Sequence, residues 1–90
     1  MITTDNQIDR TVGLRERVRE IMADTFGMEP SELPNSTSQE TCRKWSSLYH
    51  MMLLVVLEEQ FEVSLSMDDM TSMTSLAEVV AVLDRYGATA

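Results

Sequence analysis

The sequence predicts an all-α fold: a four-helix bundle of three main helices and one short helix, with a long first loop. Three observations carry this. Apolar residues recur at helical spacing in separate stretches of the 90-residue chain. Helix stops and N-capping residues stand between those stretches. The one alternating segment, Val63-Ser64-Leu65-Ser66, has no second strand to pair with and reads as loop.

Residues 1–8 are polar and are expected to be disordered, leaving a single domain with its core at about 10–86. Leu14, Val18, Ile21, Met22 and Phe26 then fall at i, i+4, i+7, i+8 and i+12, one face of a helix over 10–26 that Gly27 ends. Residues 28–46 read as loop, because Pro30 and Pro34 break helices and Asn35-Ser36-Thr37-Ser38 is turn chemistry. So long a connection in a small domain needs pinning, by a short turn or a buried plug. Leu33 is the expected plug, helped by Met28 and Trp45.

The second helix starts at Ser46 or Ser47, since a serine hydroxyl accepts a bond from an orphan N–H of the first turn. No Glu or Gln stands three residues beyond either serine, so no capping box forms. The expected core stripe is Met51, Leu54, Leu57 and Phe61, with Leu53 beside it. The stretch is more apolar than a one-faced helix needs. Met52, Val55 and Val56 are therefore left partly exposed as a binding strip, or else packed in a crowded core. Met67–Met73 fits one or two helical turns with Met70 and Met73 inward. The last helix opens with Ser75-Leu76-Ala77-Glu78, a capping box. It buries Leu76, Val79, Val80 and Leu83, and Gly87 ends it.

Composition narrows the function. A hydrophobic share of 43% and a charged share of 24% suit a folded domain. The net charge is −8, which argues against nucleic acid and anionic membranes as partners and favours basic protein surfaces. The charge is uneven: residues 1–45 hold eight acids and six bases, residues 46–90 seven acids and one base. The opening residues do not form a secretory signal, and the longest apolar run, Met51–Leu57, is too short to span a bilayer. A cytoplasmic monomer is the expectation.

No catalytic constellation is specific. One histidine, His50, reads as a surface or core residue. One cysteine, Cys42, excludes an internal disulfide and sits in a polar loop beside Arg43 and Lys44, whose charge favours a thiolate. Asp68-Asp69 lacks calcium-loop spacing, and the eight methionines read as adaptable packing. One feature remains. A serine where the long loop ends would be exposed beside the unpaired N–H groups of a helix's first turn, which favour a phosphate. The plain alternative is an N-cap.

At these residues the sequence resembles the acyl carrier proteins and peptidyl carrier domains. Ser46-Ser47-Leu48 stands where that family has Asp-Ser-Leu, and Leu57-Glu58-Glu59-Gln60-Phe61 matches its Leu-Glu-Glu-x-Phe. Fourteen positions separate Ser47 from Phe61, the family spacing, which selects Ser47 over Ser46. Glu16-Arg17-Val18, Ile21-Met22, Phe26-Gly27-Met28, Leu65, Met73, Thr74, Leu76, Val80 and Leu83 extend the similarity without gaps.

The resemblance implies a carrier without catalysis of its own. Ser47 would take 4′-phosphopantetheine from coenzyme A, delivered by a phosphopantetheinyl transferase. The arm's thiol would hold an acyl or aminoacyl group as a thioester and present it to partner enzymes. Those partners are loading ligases, transferases and synthases with basic patches. The implied docking residues are Ser46, Leu48, Tyr49, Met51, Met52, Val55, Glu58 and Glu59. The family's Asp before the serine is Ser46 here, and its Asp-Leu-Gly is Cys42-Arg43-Lys44. Tyr49 and Met52 stand where fatty-acid carriers place acids. Trp45 resembles the Trp-Asp-Ser-Leu of free-standing carriers in specialised pathways, such as those for polyketides or nonribosomal peptides. The alternative is a carrier-like helical adaptor that binds proteins and is never modified.

Overall fold

A computed structural model describes residues 2–89, with residues 2–11 described as backbone only. Helix α1 spans Ile2–Phe26, helix α2 Ser47–Phe61, helix α3 Met67–Ser72 and helix α4 Leu76–Arg85. Helix α1 starts at Ile2 rather than at the expected 10, so the backbone of residues 2–8, expected to be disordered, is helical. The described residues form a small all-helical bundle with no strand, in which α1 packs against both α4 and α2.

The core follows the helical periodicity of α1 and α4. Leu14, Val18, Ile21, Met22 and Phe26 are all buried on α1, and Ala23 joins them. Leu76, Val79, Val80 and Leu83 are buried on α4 together with Val82. Gly27 and Gly87 end these helices at φ +70° and +82°, the left-handed conformation that suits glycine at a helix C-terminus. Beyond Gly87 the Ala88 N–H returns to the Leu83 carbonyl at 3.0 Å and Ala88 is buried, so the core extends past its expected limit at 86.

The Ser75 hydroxyl caps α4 by accepting the Glu78 N–H at 3.1 Å. The Glu78 carboxylate receives the Thr74 hydroxyl at 2.7 Å and the Ser75 hydroxyl at 3.3 Å. The predicted serine cap therefore forms, with the glutamate drawn to neighbouring hydroxyls.

The long first loop is pinned as its length demands. Pro30–Glu32 form one 3-10 turn, and Leu33 and Trp45 are buried with Met28 packed against them. Arg19 of α1 adds a tie that periodicity does not signal. Its Nε donates to the Leu33 carbonyl at 2.8 Å, while its other nitrogens reach Glu16 and Asn35. The loop's far half joins the start of α4: Leu76 N–H donates to Thr37 at 2.9 Å and Gln39 N–H to Thr74 at 3.0 Å. Together they frame an isolated bridge between Ser38 and Ser75.

Two expectations are corrected. Cys42 lies in the polar loop but is buried there, not open to solvent, with its thiol 3.9 Å from the Met28 sulfur. Met51 is exposed, not part of the core stripe, and Phe61 is only partly buried. The inward row of α2 is His50, Leu53, Leu54, Leu57 and Phe61, spaced i, i+3, i+4, i+7 and i+11. A histidine bonded to the buried Trp45 and to the Met70 carbonyl takes the inward place that an apolar count assigns to its methionine neighbour. Phe61 lies at the last turn, where the Arg17 guanidinium covers its ring at 5.7 Å and also donates to Gln60 at 2.6 Å.

Candidate functional site at the start of helix α2

Two adjacent serines divide the work at this helix start. Ser46 is the N-cap: its backbone is extended, at φ −83° and ψ 174°, and its hydroxyl accepts the Tyr49 N–H at 3.3 Å. Ser47 is the first helical residue, is exposed, and its hydroxyl makes no hydrogen bond among the described residues. The Ser47 and Leu48 N–H groups lie in the first turn, where no intrahelical acceptor exists. A free hydroxyl thus stands in solvent at the positive end of a 15-residue helix.

The approach to Ser47 is packed by aromatic rings. Trp45 and Phe26 rings lie 5.7 Å apart, and Tyr49 meets Phe26 edge-on at 6.0 Å. The Trp45 indole N–H donates to His50 Nδ1 at 3.0 Å. Arg43 and Lys44 are exposed just before this packed segment.

Beyond Ser47 the outer face of α2 is apolar. Leu48 is 67% exposed, Met51 59%, Met52 44% and Val55 54%. Their spacing, i, i+3, i+4 and i+7, makes one continuous strip, and Glu59 extends it by one turn. Val56 is only partly exposed and packs against the core. Tyr49, held on Phe26, leaves the strip. Glu58 also turns away, since its carboxylate accepts the Leu65 N–H at 2.9 Å and closes the loop after α2. The expected docking residues therefore separate into an exposed row of Leu48, Met51, Met52, Val55 and Glu59, and a structural pair, Tyr49 and Glu58.

Next to this strip, a shallow groove of about 300 Å³ runs between α2 and α3. Met51 and Leu54 form one wall, Met67 and Met70 the other, with Gln39 and Thr74 at its edge. Met67 is 78% exposed at its mouth. The Ser66 hydroxyl caps α3 by accepting the Asp69 N–H at 3.1 Å. Asp69 then ties α3 to the end of α4. The Tyr86 hydroxyl donates to its carboxylate and Arg85 pairs with it at 3.1 Å. These bonds, led by Tyr86 and then Ser66, hold the Asp69 carboxyl below its usual range, with Arg85 adding to the effect.

Among the described residues, no cluster of three or more His, Cys, Asp or Glu could hold a metal ion, and no helix is long and apolar enough to cross a membrane. Compared with protein-family models and with curated proteins, the chain matches none of them.

Proposed function

We propose that this protein is a carrier whose Ser47 hydroxyl takes a 4′-phosphopantetheine arm and whose exposed α2 strip docks the enzymes that load and use it. One observation supports this above the others: of two adjacent serines, the one at the matching position has an exposed hydroxyl with no internal partner, while its neighbour caps the helix. The arm would supply a thiol on a flexible tether. The chain's own part would be to present one oxygen in solvent, beside first-turn N–H groups that favour the phosphodiester charge.

In the attachment step, Ser47 Oγ would bond to the pantetheine-bearing phosphorus of coenzyme A. The pyrophosphate linkage would break and 3′,5′-adenosine bisphosphate would leave. The serine proton would pass to a base on the transferase or to solvent. Cargo would be an acyl or aminoacyl group of a specialised pathway, because the face nearest Ser47 is apolar where acids serve fatty-acid carriers. Partners would meet apolar side chains first and Glu59 further along, so a basic patch on them belongs at that distal end.

A second reading is an unmodified adaptor using the same strip. It is favoured by Ser46, which caps the helix but brings no charge for a transferase to recognise. Intact mass after incubation with coenzyme A and a broad-specificity phosphopantetheinyl transferase separates the two. The carrier reading expects one pantetheinyl increment, lost in Ser47→Ala and retained in Ser46→Ala. No increment with several transferases supports the adaptor. Ser46→Asp is expected to speed modification; an unchanged rate defeats the charge argument about that position.

A further inference from the structure

Trp45 and His50 are the chain's single tryptophan and single histidine, and they are bonded to one another. The buried Trp45 indole N–H meets His50 Nδ1 at 3.0 Å. On the ring's other edge, His50 Nε2 lies 3.1 Å from the Met70 carbonyl oxygen. An indole N–H can only donate and a carbonyl can only accept. His50 must then accept at Nδ1 and donate from Nε2, which is the neutral Nε2–H tautomer.

We infer that His50 is a proton-operated latch joining the segment before Ser47 to helix α3. The ring, carried on α2, bonds to the loop before that helix on one edge and to α3 on the other. Trp45 lies two residues before Ser47, and Met70 forms part of the groove wall on α3. Protonation at Nδ1 sets two donors against each other. The Trp45 indole N–H then stays buried without an acceptor, which costs more than an ordinary hydrogen bond is worth. The Nε2–H bond to Met70 survives and gains charge assistance. Acid therefore releases the loop side of the latch and keeps the α3 side. The segment 42–46 that leads to Ser47 loosens while the groove wall holds.

The surroundings leave this proton little competition. Apart from His50, no titratable side chain lines the groove. Charged and titratable groups on the neighbouring elements are Glu40, Cys42, Arg43 and Lys44 in the loop, Tyr49 on α2, Asp68 and Asp69 on α3, and Glu78 on α4. None of their side chains hydrogen-bonds to the ring among the described residues, and Asp69 is committed to Arg85 and Tyr86. The inference rests on this geometry alone and stands whether or not Ser47 carries an arm.

The test uses the full chain labelled with ¹⁵N, its ring and indole signals followed by NMR from about pH 8 to pH 5, where histidines as a class change charge. At the upper end the ring is expected as the Nε2–H tautomer, with a slowly exchanging indole proton. On acidification the indole's protection, its exchange relative to a free indole at the same pH, should fall by about tenfold, the equivalent of one hydrogen bond, with the same midpoint as the ring. His50→Gln, which can still accept and donate but does not titrate, should keep the protected indole at every pH. His50→Phe should leave it unprotected at every pH. An Nδ1–H ring at the upper end, a ring that never titrates in this interval, or an indole unmoved while the ring titrates overturns the latch. All three are read in the wild-type protein, so they stand even if a variant fails to fold.

Discussion

The two faces of α2 are built from the same residue types and meet opposite fates. Leu53, Leu54 and Leu57 are buried, while Leu48, Met51, Met52 and Val55 lie open on the other side. Hydropathy cannot separate these sets, because both are aliphatic. Position relative to α1 separates them, since only one side of a helix can face it. An apolar residue on the outer side adds little to the stability of the free protein, and under the proposed function it serves contact with a partner.

Core truncation gives the largest expected effect and the most direct way to break this comparison. Leu57→Ala should cost about 2–5 kcal/mol in urea unfolding. Val55→Ala, two residues earlier and outward, should change stability by no more than ~0.5 kcal/mol. Equal losses would mean that the outer face is packed and the contrast is false.

The same contrast of engaged and free groups recurs between the two serines. Ser46→Ala removes the cap of α2 and should cost about 1 kcal/mol. Ser47→Ala should leave the unfolding midpoint nearly unchanged while abolishing any pantetheinyl increment. A large stability loss in Ser47→Ala would show that its hydroxyl has a structural role.

The end of α2 sharpens the comparison by reversing the sign. Glu62 takes the left-handed conformation at φ 54°, a position glycine fills after α1 and α4. Its N–H still bonds to Glu58, so the turn is sound but strained for a side chain. Glu62→Gly should raise stability by up to ~1 kcal/mol, measured by thermal unfolding.

The smallest effect belongs to Asp69, a partly exposed carboxylate. Its folded pKa is lowered, first by the Tyr86 and Ser66 bonds. The folded state therefore binds this proton less readily than the unfolded chain. Its stabilisation is complete above the unfolded aspartate range and disappears as pH falls through the lowered folded value. Asp69→Asn should flatten this acid limb of the stability curve and leave a slightly lower midpoint at neutral pH. An unchanged acid limb would mean that the Tyr86 and Arg85 contacts contribute nothing in solution.

Legibility in the sequence followed the kind of signal. The α1 and α4 cores were readable because a single apolar stripe at helical spacing has one burial solution. Leu33 was readable because it is the apolar residue between two prolines in a loop that needs an anchor. Met51 misled because α2 offers apolar residues all round, so counting them does not orient the helix. Cys42 misled because its neighbours in sequence, Arg43 and Lys44, point outward while its thiol packs inward. Arg19 was invisible as a loop tie, since its acceptors Leu33 and Asn35 lie at least 14 residues away in the chain.

At the candidate site, the sequence alone indicated a serine at a helix start, with acids and apolar residues following. It determined the core-facing helical segments and where they stop, because periodicity, capping and positive-φ glycines act between residues close in the chain. Tertiary structure decided which face of α2 is open and that His50 bridges Trp45 to Met70. Those outcomes depend on how helices and loop pack in space, and that packing brings together groups whose spacing along the chain carries no local signature.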